Sequence, residues 1–307
     1  MDLRRKVGRK RLVFCILLVG TLVFSGCVEQ MVGVDSDQGS SGMPTNGFSV
    51  HEWGVFVQEY GCNSTGVVNR PGPATRVLKP VIYFHYNESI TDLMVNITFE
   101  GEIIITIPEA VEGGSGFGWV VDVVNNSVIA PNGTAYPYLF YECLIGCPQA
   151  IKAYVFDMGD EVIFYLKNIA DYELQDIFYI YGCPDADLWF YQDITYIEID
   201  SLLIGETCVR VVEKRDGGRY NTSNLTARLI RRGLTQDEAR ELVDYWAEQF
   251  FYPTNEGSFA QVIYGFPEEI YDDLFGLEMS VEPDSLCRVG LFLITDIPIS
   301  SIPRVGF

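Results

Sequence analysis

Short runs of β-branched and aromatic residues recur through the first two thirds of the chain, separated by Gly, Asn, Pro and Asp. Such runs are typical of β-strands joined by polar turns. They predict strands at 81–86, 93–99, 103–107, 119–124, 153–156, 162–166, 177–181, 188–199 and 208–212. This spacing favours a mainly β (α+β) fold whose N-terminal part resembles one β-sandwich or two in tandem.

The pattern changes near residue 219, where helical periodicity begins. Residues 222–232 predict a helix that stops at Gly233, the residue type favoured just after a helix end. Thr235 and Glu238 have the spacing of a capping box that opens a second helix, which extends to about residue 251. A strand at 259–264, a short helix at 267–275 and a strand at 288–295 complete a short mixed C-terminal part.

The N-terminus has the features of an export signal. Six basic residues precede an apolar stretch from Leu12 to Gly26, which is shorter than the roughly 20 residues of a membrane-spanning helix. Ser25 and Gly26 come just before Cys27, as in a lipoprotein signal peptide. We expect cleavage before Cys27, lipid on its thiol and an anchor facing outward from the cell membrane. An ordinary cleaved signal and a retained anchor are the alternatives.

These features divide the chain into four parts. We expect a signal peptide at 1–26, the lipidated cysteine with a flexible tether at 27–47, a β-rich domain at 48–215, and the helix pair with strands packed on it at 216–307. The tether is rich in Gly, Ser and Asp, which favours a flexible coil.

Six cysteines remain after those of the signal and the lipid site are set aside. An even number in an exported protein predicts up to three disulfides, with 15 possible pairings. A metal or iron–sulfur site is the alternative, although no pair has the C-x2-C spacing of a zinc knuckle. The six are Cys62, Cys143, Cys147, Cys183, Cys208 and Cys287.

Seven asparagines begin an N-x-S/T sequon, which favours N-glycosylation of an exported surface over a chance excess. The lipoprotein signal ending at Cys27 points to a prokaryote, and dense sequons point to an archaeon or a eukaryote. Together they predict an archaeal cell surface. The seven are Asn63, Asn87, Asn96, Asn125, Asn132, Asn221 and Asn224.

The formal net charge of −21 limits which molecules the chain can bind nonspecifically. A strongly acidic ectodomain excludes nonspecific binding to nucleic acid and to anionic lipid. The partners we expect are the membrane, reached through the lipid anchor, and an envelope or glycan component.

The candidate residues for a catalytic or metal site are the two histidines, His51 and His85. Both lie in predicted strands, and on neighbouring strands the two imidazoles could hold Zn²⁺ together with a carboxylate. Glu52 is a doubtful third ligand, because successive strand residues point to opposite faces. Packed, hydrogen-bonded histidines are the alternative, and no other cofactor is expected apart from a weak case for Ca²⁺.

That weak case rests on an aromatic segment between residues 179 and 196. Its carboxylates, Asp185, Asp187 and Asp193, beside aromatic rings would suit Ca²⁺ or a sugar. Alternating core and surface aromatics of paired strands are the simpler interpretation.

Several short motifs in order resemble an uncharacterised family of exported proteins whose domain begins with a His-Glu-Trp-Gly-Thr-Phe signature. The resemblance covers most of residues 50–295, with Val55 in place of the usual Thr, and implies a shared fold and export but no catalytic residues. The motifs are His51-Glu52-Trp53-Gly54, Lys79-Pro80-Val81-Ile82-Tyr83-Phe84, Val162-Ile163-Phe164-Tyr165, Gly233-Leu234-Thr235-Gln236-Asp237-Glu238-Ala239, Trp246 and Arg288-Val289.

The sequence therefore favours a non-catalytic envelope lipoprotein with a structural, adhesive or ligand-binding ectodomain. A metal-dependent surface hydrolase using His51 and His85 is the alternative. A transporter's solute-binding subunit is a weaker third, because its two α/β lobes would need alternating strands and helices.

Overall fold

The computed structural model describes residues 47–61, 74–184, 192–214, 222–251 and 257–301. Several predictions fall outside these residues and stay predictions: the signal peptide, Cys27 and tether, Cys62, the sequons at Asn63 and Asn221, and the candidate ligands Asp185, Asp187 and, for its side chain, Asp193.

The described chain forms eighteen strands and three helices. The strands are β1 Ser49–Glu59, β2 Ala74–His85, β3 Ser89–Phe99, β4 Gly101–Ile107, β5 Val111–Gly113, β6 Gly116–Val124, β7 Ser127–Ile129, β8 Ala135–Tyr136, β9 Leu139–Gly146, β10 Ile151–Asp157, β11 Glu161–Asn168, β12 Leu174–Pro184, β13 Gln192–Leu202, β14 Thr207–Glu213, β15 Phe259–Gly265, β16 Phe275–Met279, β17 Ser285–Thr295 and β18 Ile299–Ser301. The helices are α1 Ser223–Arg231, α2 Gln236–Phe251 and α3 Glu268–Leu274.

An eight-stranded central sheet organises the molecule, with strand order β13-β12-β15-β17-β1-β2-β9-β4. Two smaller sheets accompany it, one in the order β16-β3-β6-β7-β8 with β5 paired to β6, and one in the order β14-β11-β10-β18. The prediction of a mainly β, α+β fold is confirmed.

The two faces of the central sheet bury two different apolar clusters. One face packs against the smaller sheets, where Phe117 lies 5.4 Å from Tyr141 and Phe164 lies 4.9 Å from Tyr179 between ring centroids. The opposite face carries Trp53 and packs against α1 and α2. Alternation along β1 produces this division, since successive side chains point to opposite faces. The result is three layers: helices, central sheet and smaller sheets.

The C-terminal strands lie in the middle of the central sheet. β17 pairs in parallel with β1 on one side and antiparallel with β15 on the other. Residues 44–307 accordingly form one compact unit. The predicted division between 48–215 and 216–307 stays a prediction, and across it the hydrogen bonds of β1 join β17, a strand of the C-terminal part.

The start of α2 has the predicted capping geometry. The Glu238 backbone N–H donates to Thr235 Oγ1 at 3.3 Å, and the Thr235 backbone N–H donates to Glu238 Oε2 at 2.8 Å. Gly233 follows α1 with φ +107°, a backbone conformation open to glycine at little cost. These contacts fix where the Glu238 carboxylate lies. Within the described ranges, no helix is long and apolar enough to cross a bilayer.

Candidate functional site

The two histidines come together on the helix-covered face of the central sheet. β1 and β2 run antiparallel, with His51 opposite Tyr83 and Ser49 opposite His85. Directly opposed residues share a face, so His51 lies on the same face as Tyr83. His85 is two residues beyond Tyr83 and shares that face too, so both imidazoles project toward α2. Their ring centroids lie 4.5 Å apart, with the ring planes inclined at 60°.

Glu238, from the first turn of α2, bridges the two rings. His51 Nδ1 lies 2.9 Å from Glu238 Oε2, and His85 Nε2 lies 2.8 Å from Glu238 Oε1. A carboxylate accepts hydrogen bonds without donating, so each facing ring nitrogen carries the proton that it donates. We call these three residues the His–Glu–His cluster.

The His–Glu–His cluster is buried at one end and open at the other. His51 and Glu238 are almost fully buried, whereas the His85 side chain is 27% exposed. Burial by itself would raise the pKa of Glu238. The hydrogen bonds from His51 and His85, with that of the Thr235 backbone N–H, outweigh it and hold this pKa well below the ordinary value. Glu238 is therefore a carboxylate at neutral pH.

The cluster has the donor set of a transition-metal site. One ligand atom from each residue can be chosen so that all three lie within 4.8 Å of one another. Two imidazoles and a carboxylate are a set found in zinc sites. Among the residues that the structure describes, these three are the ones grouped closely enough to hold a metal ion.

A second polar cluster lies one helical turn further along α2, around Glu241. Tyr83 donates to Glu241 at 2.7 Å, and the Lys79 ammonium lies 3.2 Å from the same carboxylate. The Tyr83 ring stacks against His85 with centroids 6.5 Å apart. Burial, then the Glu241 charge and hydrogen bond, raise the pKa of Tyr138 to about 12. Burial and the Glu241 carboxylate together keep the Tyr138 phenol protonated at neutral pH.

Glu52 points to the opposite face of the sheet from His51, as strand alternation predicts. Its carboxylate accepts a hydrogen bond from Tyr141 at 2.6 Å and from Arg288 Nε at 2.7 Å. Arg288 also donates to Asp272 at 2.7 Å. Glu52 and Arg288 are both almost fully buried. This pair secures β1 to β17 and contributes no ligand to the His–Glu–His cluster.

The predicted disulfide pairing stays a prediction, since one of the six cysteines, Cys62, lies outside the described residues. Cys143, Cys183, Cys208 and Cys287 are free thiols. They lie on four different strands, namely β9, β12, β14 and β17. The Cys183 sulfur contacts Ser258, and the Cys287 sulfur contacts the carbonyl of Arg232. Cys147 is buried just after β9, and its predicted partners include Cys62, outside the described residues.

The described sequon asparagines are all exposed. Their side chains are therefore accessible to modification, while their glycosylation stays a prediction. They are Asn87, Asn96, Asn125, Asn132 and Asn224.

Glu238 is the residue of the site that sequence reasoning missed. The capping box identified it only as a helix-starting residue. Glu88 and Asp92, the acids that follow His85 in sequence, are exposed and do not join the cluster. A carboxylate at a helix start is also a common capping group, so no sequence signal distinguishes a Glu that also contacts two histidines.

Fold and site together define a β-rich protein with a buried His–Glu–His cluster beneath a helix. No family model and no curated protein sequence matches the chain. Among solved structures, the chain is similar to the yeast delta-COP-I mu-homology domain, with TM-score 0.38 and 8% identity over 84% of this chain and 100% of that one. The same yeast domain complexed with Dsl1 WxWxV peptide gives TM-score 0.36 and 9% identity over 83% and 99%. TM-scores at this level do not establish a shared fold.

Proposed function

We propose that this chain is a lipid-anchored, N-glycosylated cell-surface protein whose ectodomain binds a divalent transition metal, Zn²⁺ first, through His51, His85 and Glu238. The anchored ectodomain then serves a structural, adhesive or ligand-binding role outside the cell. The resemblance to exported proteins with a His-Glu-Trp-Gly signature supports the same location.

The observation that carries the metal proposal is the convergence of three ligand atoms within 4.8 Å of one another. Ligands of a tetrahedral zinc ion, bound at about 2.0–2.1 Å, lie roughly 3.3 Å apart. The present nitrogen–oxygen distances of 2.8 and 2.9 Å are shorter. Small side-chain shifts would therefore admit the ion in place of the two shared protons, and each proton would move to the other nitrogen of its own imidazole.

Charge supports a cation at this position. Glu238 places a negative charge in a buried setting, where a partner of opposite charge is stabilising. A divalent ion compensates this charge and satisfies the imidazole nitrogens at once. Imidazole ligands suit Zn²⁺ better than Mg²⁺ or Ca²⁺, which prefer sites made of oxygen atoms.

The test is zinc stoichiometry of the full chain, purified in detergent and measured by elemental mass spectrometry. We expect one zinc per chain in the wild type and loss of zinc in His85→Ala, whose partly exposed side chain can be removed with little disturbance of the core. Glu241→Gln, one turn further along α2, is the matched control and should retain zinc. Absence of zinc from the wild type, or full retention by His85→Ala, would overturn the metal proposal.

The anchor has an independent test. Mass spectrometry of the mature N-terminal peptide should find Cys27 as the first residue with lipid on its sulfur. Replacing Cys27 by Ser should release the protein from the membrane fraction. An unmodified Cys27 peptide would contradict the anchor, and bare asparagines at all seven sequons would contradict glycosylation.

A surface hydrolase is the second candidate, favoured by one observation. Three protein ligands leave a fourth metal position for water, the arrangement of catalytic zinc sites, and the exposed edge of His85 gives that position access to solvent. Zinc-dependent hydrolysis of a panel of esters and peptides, abolished in His85→Ala, would support it. A zinc-loaded chain inactive on the whole panel would count against it.

A further inference from the structure

We infer that Cys287 supplies the fourth ligand of this metal site, so that His51, His85, Glu238 and Cys287 enclose the ion. This inference rests on the proposed function and deepens it. A protein side chain as fourth ligand makes a structural metal site, whereas water as fourth ligand makes a catalytic one.

The sheet register places Cys287 beside His51. β17 is the parallel neighbour of β1, and Cys287 is the direct partner of His51. Partners on adjacent strands lie about 4.8 Å apart and direct their side chains to the same face. Cys287, His51 and Tyr83 therefore form a transverse row across β17, β1 and β2 beneath the first turn of α2.

The turn between α1 and α2 holds the thiol against the site. The Cys287 sulfur lies 3.4 Å from the Arg232 carbonyl oxygen. A Cβ added at Gly233 would lie only 2.8 Å from the same sulfur. Glycine at position 233 thus leaves room for the sulfur beneath the turn between α1 and α2.

A modest rotation would bring the sulfur into the coordination shell. The group of ligand atoms within 4.8 Å of one another does not include the Cys287 sulfur, so the side chain must move. Exchange between staggered χ1 rotamers displaces Sγ by about 3 Å. This rotation breaks the S–H hydrogen bond to the Arg232 carbonyl, which is weak because a thiol is a poor donor.

Tyr83, the partner of His51 on β2, is not free to turn toward the metal as Cys287 is. Its hydroxyl donates to Glu241 at 2.7 Å, and its ring stacks on His85. Moving it would break a charge-assisted hydrogen bond, which is stronger than a thiol–carbonyl contact. Cys287 is therefore the neighbour of His51 that can turn to the metal at least cost.

A sulfur ligand defines the kind of metal and the kind of site. Thiolate favours Zn²⁺, Co²⁺ and Cd²⁺ over Mg²⁺ and Ca²⁺. Four protein ligands also leave no position for water, which is the form of a structural zinc centre. The ion would then join β1, β2, β17 and α2, and the hydrolase candidate would lose its catalytic water.

The test is cobalt substitution of the metal-free full chain. A thiolate bound to Co²⁺ gives a sulfur-to-cobalt charge-transfer band in the near ultraviolet, whereas nitrogen and oxygen ligands give only the weaker visible bands. We expect this band in the wild type and in the control Cys183→Ala, and its loss in Cys287→Ala. Visible cobalt bands should remain in Cys287→Ala, with affinity lowered at least tenfold.

The outcomes separate the two proposals. Visible cobalt bands that depend on His85, with the same near-ultraviolet spectrum in wild type and Cys287→Ala, would overturn the cysteine ligand and leave the three-residue metal site standing. No cobalt binding by the wild type would overturn both. If Cys287→Ala fails to fold, cadmium NMR of the wild type decides, because the cadmium shift with a sulfur ligand is distinct from that with nitrogen and oxygen alone.

Discussion

Glu238 and His51 are 187 positions apart in the chain, yet Oε2 of the glutamate lies 2.9 Å from Nδ1 of the histidine. The contact joins the first turn of α2 to the middle of the central sheet. The same carboxylate also accepts hydrogen bonds from the Thr235 backbone N–H and from His85. One side chain therefore caps a helix and organises the candidate metal site. Stability and metal binding should therefore be linked at this residue.

Zinc should stabilise the folded chain by mass action. At a free zinc concentration 100 times the dissociation constant, a ligand specific to the folded state adds about 2.7 kcal/mol to the free energy of unfolding. Urea unfolding of the full chain with and without zinc measures this gain. It should vanish in His85→Ala and should not arise with Mg²⁺. An equal gain in His85→Ala would mean that zinc binds elsewhere.

The Glu52–Arg288 pair should be a major source of stability. Replacing Glu52 by Gln removes the buried counter-charge of Arg288 and leaves only the half-exposed Asp272 as its ionic partner, and breaking a buried pair in this way costs about 3–5 kcal/mol. Asp272→Asn is the control, because its side chain is 55% exposed and an exposed ion pair contributes about 0–1 kcal/mol. Urea unfolding should separate the two variants, and similar losses in both would contradict the assigned role.

Gly233→Ala should lower stability by more than the strain of its backbone alone. Gly205 is the matched control, since it also has positive φ, +74°, but a Cβ there would meet no atom within 4 Å. Gly205→Ala should cost about 1–2 kcal/mol from left-handed strain. Gly233→Ala should cost more because its Cβ meets the Cys287 sulfur, and Cys287→Ala should reduce that excess in a double-mutant cycle. Equal costs at both glycines would refute the contact.

Stability should fall in the alkaline range partly through Tyr138. Burial, with the Glu241 charge and hydrogen bond, raises the pKa of Tyr138 from 10.0 to about 12. Between these values the unfolded chain releases a proton that the folded chain keeps, so stability decreases as pH rises. Unfolding at about pH 9 and about pH 11 should show a smaller decrease in Tyr138→Phe than in the wild type. Identical decreases would show that Tyr138 takes no part.

Much of the local structure follows from the sequence because its causes are local. β-branched runs predict most strands, Thr235 and Glu238 predict the start of α2, and alternation along β1 predicts that Glu52 and His51 face apart. The strand pattern does not predict β9, between residues 139 and 146, because Glu142 and Cys143 interrupt its apolar run.

The long-range arrangement does not follow from those causes. Pairing of β1 with β17 joins residues more than 200 positions apart, and no periodicity encodes which distant strand is the neighbour. The same pairing joins the two predicted parts across 215/216 and brings Cys287 beside His51. The cysteine pairing stays a prediction for a related reason. An even cysteine count says nothing of the strands on which the thiols lie, and the four free thiols lie on four different strands.

X-ray absorption at the zinc edge of the zinc-loaded full chain tests the central claim most directly, because it identifies the atoms around the ion. We predict two imidazole nitrogens and a carboxylate oxygen at about 2.0–2.2 Å, with one sulfur at about 2.3 Å, and loss of the bound zinc in His85→Ala. A shell of oxygen atoms without imidazole, unchanged in His85→Ala, would contradict the metal site.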